Sequence, residues 1–264
     1  MINVGDLTIT SLDVIKAFSM GGVPRFILDE LQNAKIANTQ EKQEITGKGG
    51  RKLNSLKKNK AVVVSGTNGL ISAGLLETQT GGTFTHMDST PVSWVDYLVI
   101  SGNGATTEYK AAGTVGAEIE ALYIKGSDGV CGEALEQAST TGEGKFTYNP
   151  ESKELAFEDG AFDDGTEIVV FYTRNVVGDV LTNESDKYSE KLQLYIDATV
   201  EDKCGNMYHA QFYIPKADFS GDFDIDMGEN QAVHAFEAES LAGACGVGSS
   251  LWTYTVFGVN QDAA

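Results

Sequence analysis

Cysteine, histidine and proline are scarce in this chain, and long apolar runs are missing. Cys131, Cys204 and Cys245 are the only cysteines in 264 residues. An odd number with no close pair is neither a disulfide framework nor a zinc site, and reduced thiols in a protein made in a cytoplasm are the simplest expectation. His86, His209 and His234 are equally scattered, with none paired at metal-ligand spacing, so neither a metal nor another cofactor is expected. No apolar run approaches the roughly 18–20 residues that span a bilayer. The start, Met1-Ile2-Asn3-Val4-Gly5-Asp6, lacks the basic region and apolar core of a secretory signal. These absences lead to the expectation of a protein with no membrane partner and no Sec leader. Only four prolines stand against thirty glycines, which suits many turns joining strands whose backbone donors stay intact.

What is plentiful is acid. The formal charge is −19, unevenly spread. Residues 1–60 carry ten Lys/Arg against six Asp/Glu, whereas the remaining 204 carry nine against thirty-two. Lys48, Arg51, Lys52, Lys57, Lys58 and Lys60 fall within thirteen residues that contain no acid. An acidic body with a short basic arm can hold copies of itself together, because opposite potentials steer and register such contacts. The same acidic body is a poor surface for DNA, whose binding depends on cations meeting phosphates.

Most of the chain reads as strand. Ala61–Val64, Trp94–Ile100, Ile119–Lys125, Glu167–Thr173, Lys191–Val200, Met207–Ile214 and Trp252–Val259 are rich in β-branched and aromatic residues. Turn signals bound them at Asn68-Gly69, Ser127-Asp128-Gly129, Asp164-Gly165 and Cys204-Gly205-Asn206. Leu70–Gln79, with Leu70, Ile71, Gly74 and Leu75 at helical spacing, is predicted to be one short helix packed on a sheet. Phe26–Ala37 is ambiguous. Ile27, Leu28, Leu31 and Ala34 would line a helical face, yet Ile36–Gln43 reads as extended. Gly47-Lys48-Gly49-Gly50-Arg51-Lys52 has too much glycine for a regular element and predicts a mobile loop or arm, spanning 47–60, between two strands. No repeat or linker is visible, so residues 1–264 read as one domain. The stretch 105–165, with its hairpin signals and acidic turns, is a possible inserted or decorating segment.

Motifs for catalysis fail one by one. Gly102-Asn103-Gly104 starts a dinucleotide fingerprint, but Thr107 holds the third glycine position and no long helix follows, so it reads as a turn. No glycine loop ends in Gly-Lys-Ser/Thr. Gly246-Val247-Gly248-Ser249-Ser250 lacks the serine placement of a nucleophile elbow. Asn183-Glu184-Ser185 is a glycosylation sequon by pattern and means little without a secretory signal. An EF-hand beginning at Asp222 needs glycine sixth and glutamate twelfth, where Met227 and Val233 stand. No catalytic residue is assigned, and the chain is expected not to be an enzyme.

Asp222, Asp224 and Asp226 alternate with Phe223, Ile225 and Met227, which puts three like charges on one strand face about 6–7 Å apart. One reading is a solvated edge. The other is a wall lining a pore, whose negative charge denies nucleic acid any foothold. The basic arm is open in the same way, between a solvated loop, a nucleic-acid patch and a contact with an acidic copy of the chain. No aromatic residue lies between Lys48 and Lys60 to stack on bases, which favours the self-contact. Leu53 and Leu56 are the apolar residues that could anchor it.

Several segments resemble phage major tail proteins, the tail tube family of phages of Gram-positive hosts. They are Gln43-Glu44-Ile45-Thr46-Gly47-Lys48-Gly49-Gly50, Ala61–Val64 and the Leu70–Gln79 segment. Farther on come Val92–Tyr97, Asp164–Tyr172, Phe212–Ala217, Phe236–Leu241 and Leu251–Tyr254. Each is weak alone, but they run in the same order along nearly the whole chain. The resemblance implies a mainly β fold, a β-sandwich or partial barrel with one short flanking helix and a long basic loop. It implies six copies in a ring, rings stacked into a tube through the loop at about Gly47–Lys60, and an acidic lumen. That lumen would hold the tape-measure protein and later pass DNA without binding it specifically, with sheath or terminator proteins as possible further partners, in a virion. Asp222, Asp224 and Asp226 would face the lumen. Lys48, Arg51, Lys52, Leu53, Leu56, Lys57, Lys58 and Lys60 would make contacts between subunits. Another virion β protein, such as a capsid decoration or tail component, and a carbohydrate-binding adhesive module are the alternatives.

Overall fold

A computed structural model describes residues 6–126, 131–226, 233–242 and 248–258. The chain runs through β1 (Leu7–Ser19), β2 (Pro24–Leu28), β3 (Leu31–Thr46), β4 (Lys52–Asn68) and one helix, α1 (Ala73–Thr80). It then forms β5 (Thr85–Val99), β6 (Gly104–Thr106), β7 (Ile119–Lys125), β8 (Cys131–Gln137), β9 (Lys145–Asn149), β10 (Glu154–Phe157) and β11 (Glu167–Val180). β12 (Lys191–Asp202), β13 (Met207–Phe219), β14 (Ile225–Asp226), β15 (Val233–Ser240) and β16 (Thr253–Phe257) follow. The protein is mainly β, as the strand-rich sequence predicts. It divides into two compact units, one built from residues 1–84 and 181–264, the other from 85–180. The second unit contains all of the 105–165 stretch and extends beyond it at both ends.

In the first unit the sheet order is β2-β1-β12-β13-β15-β4-β3, with β14 on β15 and β16 on β13. β12 explains how such a sheet is coded. Leu192, Leu194, Ile196, Ala198 and Val200 are buried, while the residues between them are partly exposed. That is the period of two that a strand imposes on its side chains. Each fully buried Leu or Ile contributes about 1.5–3 kcal/mol. Residues from six strands and Leu75 of α1 meet in a single core cluster, so the sheet curls around its own apolar face as a half-barrel.

A short link shows how strongly it curls. β2 and β3 stand at opposite ends of the strand order, yet only Asp29 and Glu30 join them. Three peptide steps reach at most about 11 Å. The two edges of the sheet therefore meet at this corner and diverge from it. This also settles Phe26–Ala37, which is two strands with a turn between them. Phe26 and Leu28 are buried and Arg25 and Ile27 exposed, again with a period of two.

The helix begins later than its apolar spacing suggests. Asn68 Nδ2 donates to the Leu70 carbonyl at 2.7 Å, turning the chain so that Leu70 and Ile71 stay exposed. Ser72 is the N-cap, its hydroxyl accepting from Leu75 N. Gly81, in the left-handed region at φ 69°, ends the helix by donating to the Glu77 carbonyl. A side chain there would also strike the Tyr188 carbonyl, since an added Cβ would lie 2.3 Å from its oxygen.

The second unit is a seven-stranded arrangement in the order β5-β11-β7-β8-β9-β10-β6, antiparallel except for the β8–β9 pair. Its own core gathers Ile100, Leu122, Phe146, Leu155, Ile168, Val170 and Tyr172, among others. Gly102-Asn103-Gly104 is the turn expected of it, with Gly102 at φ 59° and Ser101 bridged to Gly104. The expected turn at Ser127-Asp128-Gly129 lies outside the described residues, as do Cys245, Gly246 and Val247.

Candidate functional site

The basic arm is not an irregular loop. β3 and β4 pair from Leu31↔Asn68 out to Thr46↔Lys52, and residues 47–51 alone make the turn. The glycines that suggest mobility build this turn instead. Gly49 and Gly50 take φ 78° and 77°, Gly50 N donates to the Gly47 carbonyl, and Gly47 N donates to the Arg51 carbonyl. β15 supports β4 only from Val63 to Asn68. Beyond that, Glu41–Thr46 and Lys52–Lys58 form a two-stranded ribbon about 20 Å long, its side chains almost all exposed. A register shift between Thr39 and Glu41 marks the base of the ribbon, where Asn59 adopts φ 51° and donates to Glu41 Oε2 at 2.7 Å. Such a bulge re-aims the strands that leave it.

Register sorts the ribbon's side chains into two faces. Gln43 opposes Leu56 and Ile45 opposes Asn54, so Leu56 and Ile45 share a face, 50 % and 40 % exposed. Leu53 does not join them. It folds over Gly47, where an added Cβ would lie 2.9 Å from its Cδ1. Of the two expected anchors, only Leu56 therefore lies on this exposed apolar face, and Ile45, which the sequence reading passed over, is the second. Lys42 directly opposes Lys57, a like-charge pair that weakens a lone ribbon. Lys52 reaches Glu44 at 2.6 Å and Lys58 reaches Gln43 at 3.2 Å. Among the described residues, Lys48, Arg51, Lys57, Lys58 and Lys60 enter no ion pair.

The aspartates occupy a separate place. Asp222 and Asp224 are exposed, and Phe223 and Ile225 between them are half-buried, so the expected alternation is present in these four residues. Only Ile225–Asp226 is strand, paired as Ile225↔His234 and Asp226↔Val233. The side chain of Asp226 lies outside what the structure describes, as does Met227. Among the described residues no group of three His, Cys, Asp or Glu is placed to hold a metal ion.

Two polar assemblies escaped the sequence reading. His234 is fully buried behind α1. Its Nδ1 accepts from Ser72 N at 3.3 Å, which puts the proton on Nε2, 2.7 Å from Gln79 Oε1. Gln79 Nε2 in turn donates to the Ala235 carbonyl, so one neutral ring ties both ends of the helix to the sheet. Burial pushes this imidazole below its ordinary value. In the second unit the buried Asp96 carboxylate accepts from Trp94 Nε1 at 3.0 Å, Glu108 N at 2.8 Å and Tyr172 Oη at 2.9 Å. Burial first, and then Asp96, push the Tyr172 hydroxyl far above the usual phenol range. Arg174 lies between aromatic faces, its guanidinium carbon 3.6 Å from the Tyr109 ring centre and 4.4 Å from that of Trp94. These groups order the fold, and none converges with a nucleophile.

The described fold is thus a mainly β one, a curled half-barrel sheet with one flanking helix and a protruding basic hairpin. The model of the YomU/Tube protein family matches residues 12–251, and the chain belongs to that family, a family of phage tail tube proteins. Comparison with curated proteins finds no match. The family implies a structural, non-enzymatic component of a virion. No helix among the described residues is long and apolar enough to cross a membrane.

Proposed function

We propose that this chain is the repeating subunit of a phage tail tube, in which six copies form a ring and rings stack into a hollow tube. The observation that carries this reading is the family match over residues 12–251. The geometry supports it. The half-barrel ends in two edge strands, β2 and β3, that pair on one side only, and open edges invite pairing with another copy. Sheets pooled around a ring would remove those edges, while head-to-tail contacts between rings would extend without closing. The hairpin of residues 41–60, with seven Lys/Arg against two Asp/Glu, suits a contact with an otherwise acidic neighbour.

In this reading the lumen is lined by acid, with Asp222, Asp224 and Asp226 among its residues. It holds the tape-measure protein during assembly and conducts DNA during ejection without binding it. Terminator or sheath proteins are further partners. Negative-stain microscopy of the purified protein tests the proposal. Tubes or six-fold rings are expected. Attachment to capsids alone, or monomers that bind glycans, would replace it with a decoration protein or an adhesive module.

A further inference from the structure

The second unit carries an apolar surface where a sheet ordinarily shows water a polar one. From Trp94 to Val99 the even-numbered residues of β5 point into the core, with Asp96 buried and Trp94 and Leu98 half-buried, while the odd-numbered ones point out. The outward row is Val95, Tyr97 and Val99, which are 37 %, 73 % and 55 % exposed. Register places apolar neighbours beside it on β11, the half-buried Phe171 opposite Val95 and the buried Val169 opposite Tyr97, so the exposed row itself is confined to β5. Scattered exposed apolar residues are ordinary, but a contiguous row on an edge strand marks a contact surface. The unit that bears it has five Lys/Arg against seventeen Asp/Glu, a net charge of −12. Two such units would repel each other, so the row is poorly suited to meeting itself.

The chain's own hairpin is the complement. Residues 41–60 have a net charge of +5, and five of their seven cations enter no ion pair among the described residues. One face of the ribbon presents Leu56 and Ile45, with Lys58 on the same side by register. An aromatic that can be buried beside two aliphatic side chains, within opposite fields, has the composition of a hot spot with steering charge around it. We infer that the hairpin of one copy docks with Leu56 and Ile45 against the Val95, Tyr97 and Val99 face of another copy's second unit. This rests on the proposed tube and specifies which surface of the neighbour receives the arm. The exposed side chains involved fall short of the roughly 800 Å² per partner of a standalone interface. The contact is therefore weak as a pair and gains strength through repetition in a polymer.

The test uses the full-length chain with a photo-crosslinking amino acid at Leu56, mixing isotopically heavy and light protein, with assembly followed by electron microscopy. The expected result is tubes whose cross-links join residue 56 of one isotopic form to a peptide containing residues 92–99 of the other. In parallel, Tyr97→Glu, at an exposed position, should leave the circular dichroism spectrum unchanged and raise the concentration needed for assembly about tenfold. Tubes cross-linked at other surfaces, or only within one chain, would overturn this inference and leave the tube reading standing. So would a Tyr97→Glu protein that folds and assembles at the ordinary concentration. Chains that never associate would overturn both.

Discussion

His234 is the residue whose chemistry is most constrained. Its Nδ1 must stay unprotonated to accept the Ser72 N–H, so adding a proton sets two donors against each other at the helix cap. The folded-state value lies below the ordinary 6.5, so the unfolded chain binds this proton more readily than the folded one. The contribution of this site is thus complete above pH 6.5 and is lost as pH falls from there towards the lower folded-state value. Urea melts should show stability declining over that window in the parent protein and a shallower decline in His234→Gln. His234→Ala should cost about 2–4 kcal/mol, since it leaves a cavity and two unsatisfied partners. Nothing in the sequence marks this histidine, which stands alone in Ala-Val-His-Ala-Phe. Its partners lie some 155 and 162 residues away along the chain. Local pattern carries no information about such a pairing.

Among elements, the β3–β4 hairpin is the one whose identity depended on geometry. The sequence made its cations and glycines visible, but a glycine-rich basic run is equally consistent with a tether and with a turn. What decides for the turn is register. Glu41, Gln43 and Ile45 find partners in Lys58, Leu56 and Asn54, and the two left-handed glycines fall where the chain reverses. The same register sets Leu53, although it is exposed, off the face that carries Leu56 and brings in Ile45 there. Under the proposed assembly, Leu56→Ser combined with Ile45→Ser should block stacking more completely than neutralising any two cations. Exposed ion pairs return only about 0–1 kcal/mol each. Light scattering should show assembly slowing as salt rises, because exposed charges are screened beyond about 8 Å at physiological ionic strength. Asn59→Val would force a β-branched residue into φ 51° and remove the bond to Glu41. Slower assembly is expected, with Asn59→Gly much closer to the parent.

At the scale of the whole molecule, the two core clusters share no residue, and each unit has its own sheet. Calorimetry should therefore resolve two unfolding transitions. Asp96→Ala, which strands three donors, should destabilise the second unit by about 3–5 kcal/mol and leave the other transition in place. The strands of both units are legible in sequence because alternation writes them locally, as in β12. The division at Thr85 and Val180 is not, because β5 and β11 are continuous paired strands with no linker composition at their ends. In phage, replacing Asp222, Asp224 and Asp226 together by lysine should leave the soluble subunit folded and permit tail assembly, while impairing DNA ejection.

The pairing of β1 with β12 has a consequence for the order of events at the ribosome. Leu7 meets Asp202 and Ser19 meets Leu192, so the first strand waits for most of the chain to be translated before it finds its neighbour. The 85–180 unit is continuous in sequence and can fold while that wait lasts, whereas the half-barrel closes only when β15 emerges to bridge β4 and β13. Contacts of such long sequence separation form slowly. Under the proposed assembly, a nascent or truncated chain consequently has no half-barrel with which to polymerise, and the topology itself would prevent premature growth on polysomes.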